Sequence, residues 1–148
     1  MIIDGALLFS TAQAVTATAP STNIVDLGVK RDIGIGDNPS LKVMVMVTTA
    51  FTTTNSGTLQ VAFQGSTDNS TWDTYTLSSA YAAAALTAGA RLHDIDVPRP
   101  GAGQAAPRYI RLNYVVGTGV FSAGALTAAV LGDRQENITY APGTTVTN

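Results

Sequence analysis

The sequence predicts an all-β domain, a jelly roll or β-sandwich of about eight antiparallel strands, and three observations favour this class. Only 12% of the 148 residues are charged, against an average of roughly 25%, so the chain lacks the charged residues that usually cover the exposed faces of long helices. Threonine and valine are abundant, and branching at Cβ suits an extended strand. Apolar and polar residues alternate in short segments bounded by turn-forming residues. An up-and-down barrel is the alternative that this pattern leaves open.

The chain length is that of one domain. We expect a single domain over residues 1–148, with an extended apolar arm at 1–10, the sandwich at 11–132 and a polar C-terminal tail at 133–148. The arm is apolar, but it has no basic residue and is interrupted by Asp4 and Gly5, so we do not interpret it as a signal peptide. No stretch approaches 18 uninterrupted apolar residues, and no membrane span is expected.

Strand signals recur along the chain at short intervals. In order, we predict strands at residues 12–18, 23–27, 41–48, 58–64, 72–77, 90–97, 108–116 and 120–131, the last broken near Gly124. The segment 58–64 alternates most cleanly, which places Leu59, Val61 and Phe63 on the inner face. Residues 78–89 contain a run of alanines, and a short helix and a loop both fit them.

The strand at residues 41–48 is predicted to be covered on both sides. Its valines fall on one face, and Met44 and Met46 fall on the other. An antiparallel strand that faces water on one side would carry polar residues there. We therefore expect one face to pack in the core and the face of Met44 and Met46 to lie under a partner subunit or the arm.

Few residues offer groups for catalysis or metal binding. The chain has one histidine, His93, and no cysteine, which excludes a thiol nucleophile and a cysteine-ligated zinc site. On a strand, His93 points away from Asp94 and Asp96. These two aspartates share a face, but no dense acidic loop supplies the roughly six to eight oxygens of a calcium site, so an arginine is their expected partner. We expect no enzyme activity, cofactor, metal or small-molecule substrate.

The segment Asp68-Asn69-Ser70-Thr71 precedes Trp72, the one tryptophan of the chain. Aspartate and asparagine favour turns by hydrogen bonding to nearby backbone. An aromatic ring next to amide side chains also suits a carbohydrate, which keeps a sugar-binding or adhesion module as the alternative function. We favour the turn, because sugar-binding modules usually expose several aromatic rings.

Half of the basic residues lie within 21 positions, at Arg91, Arg99, Arg108 and Arg111. They either contact acidic patches on a partner or balance aspartates of the same chain, and the sequence leaves both open. A net charge of −2 is too small and of the wrong sign for non-specific binding to nucleic acid.

The chain resembles, over its full length, a family of capsid cement (decoration) proteins of short-tailed phage heads. The stretches that carry the resemblance are MIIDGALLFS at 1–10, TNIVDLG at 22–28, RDIG at 31–34, GDNP at 36–39, QGSTDNSTW at 64–72, PRYIRLNY at 107–114 and GDRQ at 132–135. None of them is a chemical motif, and their order and spacing make the match.

The resemblance implies a jelly-roll subunit on the outer surface of the virion capsid, made in the cytoplasm of the bacterial host. It implies a homodimer that clamps neighbouring major capsid proteins together, with no membrane or nucleic-acid partner. From the apolar arm and the apolar strand face together, we predict the following protein-interface residues: Ile2, Ile3, Leu7, Leu8, Phe9, Met44 and Met46.

Overall fold

The computed structural model describes residues 4–30 and 41–132, except for the side chains of residues 93 and 94. Ten strands lie within these ranges, three of them only two residues long. The strands are β1 (Leu8–Ala14), β2 (Ala19–Pro20), β3 (Val25–Asp26), β4 (Lys42–Thr53), β5 (Thr58–Ser66), β6 (Asp73–Leu77), β7 (Tyr81–Ala82), β8 (Arg91–Asp96), β9 (Tyr109–Gly117) and β10 (Phe121–Leu131). The predicted all-β class is confirmed.

The strands form two antiparallel sheets. The first has the order β1-β10-β4-β8, and the second has the order β2-β9-β5-β6, with β3 paired to β9 and β7 paired to β5. The chain changes sheet after β1, β3, β4, β7, β8 and β9, so most sheet neighbours are distant in sequence. In an up-and-down barrel, consecutive strands would be neighbours, whereas this order is that of a jelly roll.

The core lies between the two sheets. Leu59, Val61 and Phe63 of β5 are all buried, as their alternation predicts. They face valines of β4 and the buried residues of β9 and β10 within one apolar cluster. Burying a side chain of this size contributes about 1.5–3 kcal/mol, so these inward rows account for most of the stability of the fold.

The apolar β4 lies in the middle of the first sheet, between β10 and β8. It runs five residues beyond the predicted end, to Thr53, because pairing with β10 continues to Phe121. Val43, Val45 and Val47 enter the core, and Met44 lies on the opposite face. Residues of both faces are buried over Val43–Val45, which matches the almost continuous apolar sequence of the strand.

The predicted arm at residues 1–10 is wrong in its extent. Strand β1 begins at Leu8 and pairs with β10, so the last three residues of the proposed arm belong to the first sheet. Phe9 is fully buried, and its ring packs edge-on against that of Phe63 at a centroid distance of 6.2 Å. The periodic signal of this segment is weak because the β1–β10 register is irregular, which puts two consecutive residues, Phe9 and Ser10, inside.

Two other segments differ in detail from the prediction. Residues 78–89 form neither a regular α-helix nor an open loop, but a short strand, β7, followed by one turn of 3-10 helix at Ala83–Ala85. The expected break near Gly124 is a bulge within a continuous β10, where the register to β4 shifts on both sides of Ala125. The predicted C-terminal tail, residues 133–148, lies outside the described residues.

Candidate interaction surfaces

An apolar cluster lies on the outer face of the first sheet. It consists of Leu8, Met44, Ala129 and Leu131, called the Met44 cluster below. Ala129 of β10 pairs with Leu8 of β1 on one side and with Met44 of β4 on the other, which brings the three together. Met44, Ala129 and Leu131 are buried, and Leu8 is partly buried. The described residues that pack around Met44 belong to the same chain, and cover by a partner subunit stays a prediction.

Met46 lies further along β4 and is half-buried. The strand register places it between Thr127 of β10 and Arg91 of β8. At the other end of the strand, Lys42 forms an ion pair with Asp96. Both side chains of this pair are more than one-third exposed, so it contributes about 0–1 kcal/mol. Among the described residues of the outer face, the apolar side chains of Met46 and Leu8 remain partly accessible.

The other predicted interface residues, which all come from the N-terminal segment, do not form one surface in the described part of the chain. Phe9 is a core residue and cannot contact a partner in the folded chain. Leu7 is partly buried and packs against the core. Ile2 and Ile3 lie outside the described residues. Because the apolar segment enters a strand, its sequence alone could not separate residues that join the core from residues that remain accessible.

The outer face of the second sheet has a polar and aromatic character. Arg111 of β9 pairs with Gln64 of β5, and its Nε donates a 2.9 Å hydrogen bond to Gln64 Oε1. Gln64 Nε2 donates in turn to Thr74 Oγ1 of β6 at 3.1 Å. The Arg111 guanidinium carbon lies 4.0 Å from the centroid of the Trp72 ring, a cation–π contact. We call Gln64, Trp72, Thr74 and Arg111 the Arg111 site.

A second arginine of the same strand region is neutralised within the chain. Arg108 donates from Nε and Nη2 to the two carboxylate oxygens of Asp26, each at 2.9 Å. This contact lowers the pKa of Asp26, together with a hydrogen bond from the backbone of Gly28, and raises the pKa of Arg108. The bidentate geometry is the favoured one for an arginine and a carboxylate.

The segment before Trp72 forms the predicted turn. Asp68 Oδ1 accepts hydrogen bonds from the backbone N–H groups of Thr71 and Ser70, at 2.8 and 2.9 Å, and another from Ser66 Oγ. These three donors lower the pKa of Asp68. Asn69 adopts a φ of 60°, a conformation that asparagine tolerates well. The polar side chains of this segment thus serve to close the β5–β6 turn.

The described part of the chain brings no three histidine, cysteine, aspartate or glutamate residues together as a metal-binding group. Among the same residues, no helix is long and apolar enough to cross a membrane. The side chains of His93 and Asp94, considered in the sequence as possible site residues, are outside the described atoms.

Comparison with known proteins places the sandwich in one family. The family model Bbp16 matches residues 9–130. The chain belongs to the Bbp16 family. The matched span starts at Phe9, the first core residue of β1, and ends at Val130 of β10, so the Bbp16 match covers all ten strands except the outermost residues of the first and last. A search of curated proteins finds no match.

The Bbp16 match includes the whole Arg111 site and leaves out Leu8 and Leu131 of the Met44 cluster. The sequence pointed to the Met44 cluster through its two-sided apolar strand. It named Arg111 and Trp72 separately but did not predict their contact, because that contact depends on the pairing of β9 with β5, which no local pattern indicates.

Proposed function

We propose that this Bbp16-family chain is a structural virion protein that binds the outside of a phage capsid. In this role it cements neighbouring major capsid proteins, as a homodimer, and so stabilises the head. The observation that carries the proposal is the outer face of the first sheet, where partly buried Leu8 and half-buried Met46 remain accessible beside buried Met44, in place of the polar residues that a free sandwich face carries. Full-length resemblance to capsid cement proteins supports it.

The proposed mechanism is reinforcement by many weak contacts. A capsid shell presents many identical positions, and a dimer that has bound one of them holds its second half at a high effective concentration near the next. Modest affinity at each contact is then enough to bridge neighbouring shell subunits. The low charge of the chain, 12% of residues, favours close approach, because repulsion between copies and shell stays small.

The test uses heads of the phage that encodes this chain, assembled without it. These heads should lose their DNA on heating, or in low salt, under milder conditions than heads to which the purified protein has been added back. Equal survival of both kinds of head would remove the stabilising role.

A pair of variants connects that test to the proposed face. Met46→Glu places a carboxylate on the accessible part of the apolar face and should weaken attachment. Val120→Glu is the matched control, because Val120 is 57% exposed in the turn between β9 and β10 and should tolerate the charge. Both variants must retain the wild-type melting temperature for the comparison to hold.

A carbohydrate-binding or adhesion module on the virion surface is the second candidate function. The half-buried Trp72 and the amide of Gln64 both contact Arg111, and this grouping favours the second candidate, since an indole ring and amides suit sugars. The guanidinium of Arg111 already covers one face of the ring at 4.0 Å, which leaves less aromatic surface for stacking. Reproducible binding on a glycan array, lost in Trp72→Ala, would support this function over cementing.

A further inference from the structure

Arg111 is a fixed cation without an acidic partner in the described part of the chain. Its Nε is engaged by Gln64, its plane lies over Trp72, and no described carboxylate lies within ion-pair distance. Burial lowers the pKa of Arg111, and no neighbouring acid raises it. Arg108, three residues earlier, has the opposite environment, with both oxygens of Asp26 bound to it.

The contacts of Arg111 leave its Nη groups available for a ligand. The only hydrogen bond that Arg111 donates to a described residue comes from Nε. A guanidinium with unengaged Nη groups can bind a carboxylate through two parallel hydrogen bonds. Gln64 and Trp72 hold the group in place, so little side-chain entropy is lost when a ligand binds.

An exposed apolar residue on the same face indicates that the ligand belongs to a protein. Leu77 of β6 is 53% exposed and pairs with Ala62, two residues along β5 from Gln64, which places it roughly 7 Å along the sheet. Arginine and tryptophan are enriched among the residues that dominate protein interfaces. A single guanidinium on a chain of net charge −2 does not suit nucleic acid, which requires several cations.

We infer that the Arg111 site binds an aspartate or glutamate side chain of the protein on which this chain docks. The inference rests on the proposed function for the identity of that protein, the capsid shell. It adds a second contact surface, on the sheet opposite to the one that carries Leu8 and Met46. A subunit with a binding surface on each outer face can touch two neighbours at once.

The test measures binding of the purified protein to heads that lack it. Arg111→Gln should weaken binding by at least tenfold, because it removes the guanidinium. Arg108→Gln is the matched control: it changes the net charge equally on the same strand region, but its guanidinium is already paired with Asp26, and binding should stay within twofold of the wild type.

A second variant separates loss of the site from loss of folding. Gln64→Glu places a carboxylate next to Arg111, where the present amide oxygen lies at 2.9 Å. This variant should fold at least as well as the wild type and still bind heads at least tenfold more weakly, because the guanidinium is then neutralised within the chain.

The outcomes separate this inference from the proposed function. If the wild type does not bind heads, both fall. If it binds and either Arg111→Gln or Gln64→Glu, folded, binds within twofold of the wild type, only the inference falls. Equal weakening by Arg108→Gln and Arg111→Gln would show a general effect of charge and would also overturn it, as would tighter binding of the wild type to duplex DNA than to heads.

Discussion

The hydroxyl of Tyr114 on β9 and that of Ser10 on β1 meet inside the core at 2.7 Å and join the two sheets. Ser10 donates to Gln13 Oε1, also at 2.7 Å, so the Tyr114 hydroxyl is the donor to Ser10. Gln13 Nε2 continues to the carbonyl of Pro20 on β2 at 2.8 Å. This chain of hydrogen bonds ties the edge strand of the first sheet to the edge of the second and satisfies the polar groups that it buries.

A double-mutant cycle tests the bond between the sheets. Ser10→Ala and Tyr114→Phe should each lower the free energy of unfolding by about 1–2 kcal/mol. Ser10→Ala leaves the buried Tyr114 hydroxyl without a partner, and Tyr114→Phe removes the hydrogen bond that the Ser10 hydroxyl accepts. The double variant should lose less than the sum, by roughly 1 kcal/mol, since the two hydroxyls depart together. Urea unfolding followed by circular dichroism gives the three values. Strict additivity would mean that the hydroxyls are not coupled.

The same pair predicts how stability falls in alkaline solution. Burial raises the pKa of Tyr114 to about 12, from an ordinary value of 10.0. The folded state therefore holds this proton more tightly than the unfolded state, and stability is complete below pH 10 and decreases as the pH rises towards 12. The full loss is roughly 3 kcal/mol.

Tyr114→Phe should flatten this decrease in the free energy of unfolding between pH 9 and 12, measured by urea titration. Tyr75 is the control. Burial raises its pKa as well, and the negative charge of Asp73 raises it further by a smaller amount. Tyr75→Phe should leave most of the decrease in place. A wild-type curve that is flat over this range would contradict the buried environment of Tyr114.

The sequence predicted the sheets better than it predicted the surfaces. Alternation in 58–64 identified the inward residues of β5, because the period of a strand is a local property. The boundary between arm and strand could not be predicted from the sequence. The register irregularity in β1 turns both Phe9 and Ser10 inward, so the alternation of inward and outward residues is lost there. The Arg111 site depends on the pairing of two strands that are more than 40 residues apart in the sequence. A local sequence pattern cannot indicate such a pairing.

Gly124 is predicted to be irreplaceable in the bulge of β10. It has a φ of +150°, and a Cβ atom there would lie 2.3 Å from Cδ1 of Phe51. The ring of Phe51 packs edge-on against Phe121, with centroids 4.8 Å apart, so it cannot move without disrupting that pair. Gly124→Ala should cost about 2 kcal/mol or more, from overpacking and backbone strain.

Thermal melting checks the Gly124 prediction, and Gly132→Ala is the control, because a Cβ at that position meets no atom within 4 Å. The control should melt within a degree or two of the wild type. If Gly124→Ala melts with it, the bulge tolerates a side chain and the close approach of Phe51 is not a constraint.

Met44→Asp should destabilise the folded chain by several kcal/mol, because it buries a charge without a partner. Met44 is 2% exposed within a single chain, so the loss should appear in the unfolding of the monomer, independently of protein concentration. Met44→Leu preserves the apolar volume and should cost less than about 1.5 kcal/mol. A Met44→Asp variant with wild-type melting would show that the outer face of β4 is open to water.

Two truncations separate the residues before β1 from the strand that follows them. A chain that starts at Leu7 keeps all of β1, whereas a chain that starts at Thr11 loses Phe9 and Ser10. The first should unfold at nearly the wild-type urea concentration. The second loses a buried phenylalanine, which alone costs about 3–5 kcal/mol, together with the Ser10–Tyr114 bond and part of the β1–β10 pairing.

The same truncations address attachment to heads. If the apolar segment before β1 contributes to binding, the chain that starts at Leu7 should fold normally and bind heads more weakly than the full-length chain. If the chain that starts at Leu7 fails to fold, residues 1–6 belong to the core. If the folded truncation binds heads as tightly as the full-length chain, the attachment lies on the sheet faces alone. Met46→Glu and Arg111→Gln together should then abolish the binding.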